Sequence, residues 1–366
     1  MTPLRSLLDA LESLAPTRHA EAWDNVGLIA GDPQQPVSKV LLTIDYTAPV
    51  AEEATAGGFD AIIAYHPPIF EAIKRVTAGS LVFDAIRRGV AIYSPHTALD
   101  VAAGGTNDML ADAIGIGAGD DRGPLRLVET KAHLYKLVTF VPQNDLQRVA
   151  NALFDAGAGH IGKYERCSFE SPGTGTFYGQ ADTNPAVGQR CTLERAPEIK
   201  LETVMPIARM PEILAALRKT HPYEEPAFDL VQLAAPPDKL GQGRIGTLPP
   251  TARAEVVERI KRALGLDHLL VAGPMDGTIT RAACCAGACG NMLDDAINQK
   301  AELYLTGEIR HHDAIKAAQA GLTVVCTLHS NSERAVLKRL ERRLSELLPD
   351  LAIQRSQLDR DPFQVR

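Results

Sequence analysis

Apolar positions recur along this chain with two periods. Leu4, Leu7, Leu8, Leu11 and Leu14 fall three and four apart. That spacing lines one helix face, and with Thr2 as a cap and Pro3 in the first turn it predicts an amphipathic helix at the start. Short unbroken apolar runs follow. Residues 39–45, 60–65 and 89–93 read as buried strands, with 47–57 and 81–88 as helices between them. Alternation of this kind predicts a mostly parallel sheet with one functional edge.

The pattern changes near residue 131. A strand over 135–141, a helix over 144–156 stopped by Gly157-Ala158-Gly159, strand candidates around 167–177 and 191–193, a strand over 200–206, a helix over 211–220 and a strand over 227–233 follow. This order matches a ferredoxin-like α+β unit, and Pro236-Pro237-Asp238 marks its exit. The α/β alternation then returns. Residues 256–264, 292–299 and 331–347 read as helices, and 268–272, 278–285, 302–306 and 322–328 as strands. The expected class is therefore α/β, a discontinuous metal-binding domain formed by residues 1–130 and 236–366 with a ferredoxin-like domain inserted at 131–235.

Composition narrows the function. The 366 residues are 45% hydrophobic and 23% charged, enough to bury sizeable cores, and the net charge of −7 offers no field for phosphodiester backbones or anionic lipid. No nucleic acid and no membrane is expected as partner. Six cysteines form no Cys-x-x-Cys pair, which favours reduced thiols and a cytoplasmic location, and the N-terminus lacks a basic region followed by an apolar core.

The chemistry gathers at strand ends. Pro67 and Pro68 stop the strand that His66 terminates, Asp45 ends another, and Asp100 terminates a third. His329 ends the run 322–328, with Glu333 four residues on, where one helical face would carry both. His66, Asp100, His329 and Glu333 are thus expected on one rim of the sheet. Imidazoles and carboxylates without thiolates suit Zn, Mn or Fe, and hydrolysis is the natural reaction class for a paired site. His96 is placed to orient Asp100 or to act as acid or base, and Glu308, with His311 and His312 at i, i+3 and i+4, lines the site or backs its ligands. The turn at Gly287-Ala288-Cys289-Gly290 reads either as an anion cradle or as tight packing.

Trp23-Asp24-Asn25-Val26-Gly27, Tyr65-His66-Pro67-Pro68-Ile69-Phe70, His96-Thr97-Ala98-Leu99-Asp100, Thr306-Gly307-Glu308 and His329-Ser330-Asn331-Ser332-Glu333 together resemble the GTP cyclohydrolase 1 type 2 family, dinuclear-metal proteins like the NGG-interacting factor three. Gly173-Thr174-Gly175 and His221-Pro222-Tyr223-Glu224-Glu225 resemble segments of its longer members. The resemblance implies a homohexamer, a trimer of dimers, with two divalent ions per subunit. Its ligands would be His66, Asp100, His329 and Glu333, with Tyr65 fifth, where many members carry histidine. It also implies a small-molecule substrate, GTP, whose guanine imidazole ring is opened by metal-activated water with release of formate. His96 and Glu308 would shuttle protons. Two alternatives stand beside it: hydrolysis of another nucleotide or phosphate ester, and a non-enzymatic metal-binding regulator or scaffold.

Overall fold

The computed structural model describes residues 2–119, 121–127, 134–233 and 240–364. Two compact units divide the chain, one made of 1–128 with 239–366 and the other of 129–238. The expected boundaries at 130/131 and 235/236, and the exit segment 236–238, lie outside the described residues.

The first unit holds two five-stranded sheets where the periodicity predicts one. In the first, the order is Ala352–Arg355, Lys39–Thr43, Ala61–Ala64, Ala91–Ser94 and Gly27–Ala30, parallel except for the last strand. In the second, the order is Arg244–Ala252, Thr278–Cys285, Leu303–Thr306, Thr323–Cys326 and Leu270–Ala272, with a parallel centre and both edges antiparallel. The difference has a physical source: short apolar edge strands such as Gly27–Ala30 and Leu270–Ala272 read the same whichever way they pair. Arg244–Ala252 is hidden further by Pro249 and Pro250, which fall where its register shifts between Thr247 and Thr251, a place an edge strand can tolerate proline.

The two halves of the sequence interlock in this unit. The helix Val336–Leu347, from the C-terminal half, packs Val336, Leu337, Leu340 and Leu344 against the first sheet beside Leu4, Leu7, Leu11 and Leu14 of the opening helix. The helix Thr106–Ile114, from the N-terminal half, packs Met109, Leu110 and Ile114 against the second sheet. Leu11 and Leu344 are both fully buried, each stabilising the unit by about 2 kcal/mol. The opening helix spans Leu4–Leu14 with Pro3, not Thr2, at its N-cap. Thr2 and Pro3 pair with Val37 and Pro36 instead, and the free amides of Leu4 and Arg5 donate to Gln35 O and Pro33 O, both at 2.8 Å. The helix expected from 331 starts at His329 and breaks at Ala335, giving His329–Arg334 and Val336–Leu347.

The second unit is a four-stranded antiparallel sheet in the order Phe228–Gln232, Leu134–Val141, Leu193–Pro206, Ser168–Tyr178. The candidates at 191–193 and 200–206 belong to one strand, Leu193–Pro206. Helices Leu146–Asp155 and Met210–Thr220 bury Leu146, Val149, Leu153, Ile213 and Leu217 against Leu137, Val141, Leu201 and Met205.

Candidate metal centre

Parallel pairing continues two residues beyond the strand Ala61–Ala64. The Tyr65 amide donates to Thr43 O at 2.9 Å and the His66 amide to Ile44 O at 3.0 Å. This extension sets Asp45 beside His66, and Asp45 Oδ1 lies 2.9 Å from His66 Nδ1. On the second sheet, the chain leaves Thr323–Cys326 and turns at Leu328, whose φ of 71° is strained for a branched side chain. The helix His329–Arg334 starts there, so His329 and Glu333 share a face. Ser330 donates to Asp361 at 2.7 Å and Arg334 pairs with Asp359 at 2.5 Å, which braces this short helix from its far side.

The expected meeting point on one rim is corrected accordingly: His66 comes from the first sheet and His329 from the second. Their ring centroids stand 5.4 Å apart, and ligand atoms of His66, His329 and Glu333 all lie within 4.8 Å of one another. Glu333, 3% exposed, faces both rings, with Oε2 3.3 Å from His66 Nε2 and Oε1 3.3 Å from His329 Nε2. Behind each ring stands a second carboxylate, Asp45 on His66 Nδ1 and Glu308 on His329 Nδ1 at 2.7 Å. These outer bonds leave both Nε2 atoms turned inward.

Charges follow from this arrangement. Burial would lower His66, but the hydrogen bond to Asp45 and the facing Glu333 carboxylate win and raise it to about 10. The facing Glu333 carboxylate, against burial and with help from Glu308, raises His329 to about 9. Burial acts to raise Glu333, yet the two imidazoles hold it below the usual carboxylate range. Asp100 is pushed up to about 6, chiefly by burial. Tyr65, fully buried, is pushed well above the usual phenol value by burial and by the carboxylates of Asp100 and Glu333. Its hydroxyl donates to Asp100 and lies 3.2 Å from Thr106 Oγ1.

Asp100 does not end a strand. It lies in the helix His96–Val101 after Ala91–Ser94, four residues from His96. His96 has the positive φ of 24° and its Nδ1 is 2.7 Å from Asp24 Oδ1. The His96 ring sits 5.2 Å from that of His66 and 5.8 Å from that of Tyr65. Trp23 and Phe70, both more than half exposed, form a ring pair at 5.7 Å, and Trp23 stands 6.0 Å from His96. The sequence marked Asp45 as a strand-end acid and quoted Asp24 and Trp23 in a motif; it carried no sign that each backs or flanks a histidine.

Of the other sequence candidates, Glu308 orients His329, while His311 and His312 are exposed. In the turn at Gly287 the first amide is already used, donating to Ser332 Oγ at 2.8 Å. The turn provides room: a Cβ at Gly287 would stand 3.1 Å from Glu333 Oε1 and 3.5 Å from His329 Nε2. His221 is buried, with Nε2 3.0 Å from Phe140 O and Nδ1 accepting the Tyr223 amide at 3.1 Å.

The donor set fits a divalent cation. Glu333 Oε2 is buried and makes no hydrogen bond, although the His66 ring is near. An ionised buried oxygen without a donor is costly in isolation, and a cation between it and two inward-turned imidazoles removes that cost. Among the described residues this is the group of three or more His, Cys, Asp or Glu side chains with metal-ligand spacing, and no helix is long and apolar enough to cross a membrane.

Comparison with known proteins gives a consistent result. The family model Duf34/NIF3 (NGG1p interacting factor 3) matches residues 2–362. The GTP cyclohydrolase 1 type 2 homolog of Halalkalibacterium halodurans is 34% identical over 367 residues, covering 98% of each chain. That of Mycobacterium tuberculosis is 36% identical over 338 residues, covering 90% of this chain and 88% of its own. A crystal structure of a Bacillus cereus protein related to NIF3 superposes with a TM-score of 0.76 at 33% identity, covering 100% of this chain and 99% of that one. With the mixed α/β fold, several sheets and a His–His–Glu cluster beside these matches, the chain belongs to the Duf34/NIF3 family.

Proposed function

We propose that this chain is a divalent-metal-dependent hydrolase acting on a flat nitrogen heterocycle, with the guanine of GTP as its first candidate because the relatives carry the GTP cyclohydrolase 1 type 2 homolog name. One observation carries the reading: the buried Glu333 carboxylate, held ionised, turns one oxygen to each of two imidazoles, a donor set that could hold divalent cations. His66, His329, Glu333 and Asp100 would hold a pair of Zn, Mn or Fe ions. Such a pair supplies Lewis acidity and lowers the pKa of water near neutral pH.

The chain's own residues do the remainder. Asp45 and Glu308 fix the tautomers of His66 and His329. We read Tyr65 as a protonated donor that positions Asp100 rather than as the ionised ligand implied by the resemblance, since its surroundings oppose loss of the phenol proton. With Nδ1 tied to Asp24, His96 would exchange a proton with substrate through Nε2. The exposed Trp23 and Phe70 rings offer a face on which a base would stack. The strand order of the second unit supports a ferredoxin-like insert, and the homohexamer and cytoplasmic location belong to the same proposal on the family likeness.

Metal-loaded protein incubated with GTP should release formate and a fluorescent pterin, and Glu333→Ala and His329→Ala should abolish both products. Turnover of phosphate esters or other nucleotides without pterin would move the assignment to a different hydrolase. Inactivity on both would leave a metal-binding regulator.

A further inference from the structure

The Gly173-Thr174-Gly175 and His221–Glu225 motifs take no part in the metal centre. Both lie in the second unit and border one cavity of about 620 Å³, within the range that holds a small organic ligand. We propose that this cavity is a binding site for a small organic cation with a flat apolar body.

Strand alternation puts the cavity on the sheet face that the two helices leave open. Leu137, Val141, Leu201 and Met205 point to the helices. Phe140, Glu198 and Lys200 therefore point the other way, and the register sets Glu198 opposite Gly173 and Lys200 opposite Phe140. Phe140, Phe177 and Tyr223 supply aromatic wall, with the Phe177 and Tyr223 rings 6.5 Å apart.

The polar centre is Glu198, only 8% exposed. Its Oε1 accepts the Tyr223 hydroxyl at 2.6 Å. Tyr223 is itself fixed, since its amide donates to the buried His221, which is tied in turn to Phe140 O. A Cβ on Gly175 would overlap Glu198 Oε2, so glycine there clears the space the carboxylate occupies. Glu224 Oε2 accepts the Asn184 amide at 2.9 Å and joins the segment 179–187 to the turn at 221–226, closing one side.

Charge decides the ligand class. Lys200 also lines the cavity, but its ammonium is matched by Glu202 at 2.9 Å. Among the described residues, no cation pairs with Glu198, whose bonded neighbour is a neutral phenol. A carboxylate this buried gains most from a cationic partner, and the aromatic walls favour a cation carried on a flat body. Glu224 and Glu225 at the same cavity disfavour anions.

The test is titration of the full chain with 2-phenylethylamine, tyramine and tryptamine, each beside its alcohol and carboxylate counterparts, by calorimetry and ligand-observed NMR. The amines should bind at least about tenfold more tightly than their counterparts, a difference of about 1.4 kcal/mol. Glu198→Gln, which keeps the shape and removes the charge, should erase that preference while retaining wild-type melting and metal content. Gly175→Ala, which keeps the Glu198 charge but pushes its carboxylate aside, should weaken amine binding, and bound amines should shift the resonances of Phe177 and Tyr223. Absence of amine binding at millimolar concentration, equal binding of alcohols and carboxylates, or an amine preference that survives in Glu198→Gln would each overturn the proposal.

Discussion

Replacing Asp45 by asparagine separates orientation of His66 from mere packing. Asp45 holds His66 Nδ1 at 2.9 Å, and with Glu333 it raises that imidazole to about 10. Asparagine keeps the size and an acceptor oxygen but removes the charge that makes the ring a stronger donor to a cation. Carboxylates in this outer position contribute about 10- to 100-fold to metal affinity, or about 1.4–2.8 kcal/mol. Glu308 stands behind His329 in the same way at 2.7 Å. Its pair is more open, however, with side-chain exposures of 49% and 40% for Glu308 and His329 against 37% and 23% for Asp45 and His66. Solvent screens the more exposed pair more strongly, so Glu308→Gln should cost less than Asp45→Asn. Competition for Zn²⁺ against a chromophoric chelator, with circular dichroism to verify folding, measures both. Wild-type affinity in Asp45→Asn, or a larger loss in Glu308→Gln, would refute the reasoning.

Other outcomes follow from the same geometry. In metal-free protein, the raised His66 and His329 contribute stability that is complete below their usual value of 6.5 and is lost as pH rises through about 9 to 10. The lowered Glu333 contributes stability above its usual value of 4.5 that is lost as pH falls through its lower folded value. Since a cation must displace the imidazole protons, the rise in melting temperature on adding Zn²⁺ should grow from pH 6 toward pH 9 in a buffer series; a constant rise would contradict this. Gly287→Ala meets both a φ of +74° and Glu333 Oε1 at 3.1 Å, and should cost about 1–3 kcal/mol in urea unfolding and weaken metal binding as well. Arg244→Met removes the buried guanidinium that Asp108 accepts at 2.7 Å and leaves Asp108 only Arg122 at 3.6 Å and the Gly104 amide, and should cost about 1–3 kcal/mol in the same assay.

Much of this centre is legible in one dimension because its residues sit at punctuation. Pro67 and Pro68 announce the strand end at His66, and the apolar run before His329 announces a second. The i, i+4 spacing of His329 and Glu333 carries their shared face once the helix starts at His329, which it does. What the sequence conceals depends on register and chain reversal. Asp45 backs His66 only because pairing between Lys39–Thr43 and Ala61–Ala64 runs on past the strands. The positive φ at Leu328 and His96 has no compositional sign, since neither is glycine. Two sheets could not be told from one, because direction of pairing leaves no trace in an apolar run and Pro249-Pro250 disguises an edge strand. Likewise Gly175 is visible as part of a motif, whereas the carboxylate it makes room for lies on the neighbouring strand.

Metal content measured by plasma mass spectrometry, on protein stripped and then reloaded, bears most directly on the role given to Glu333. Wild type should retain about two divalent ions per chain after dialysis, while Glu333→Ala, folded by circular dichroism, should retain neither tightly. Full occupancy in folded Glu333→Ala, or an empty wild-type protein after loading, would contradict the account.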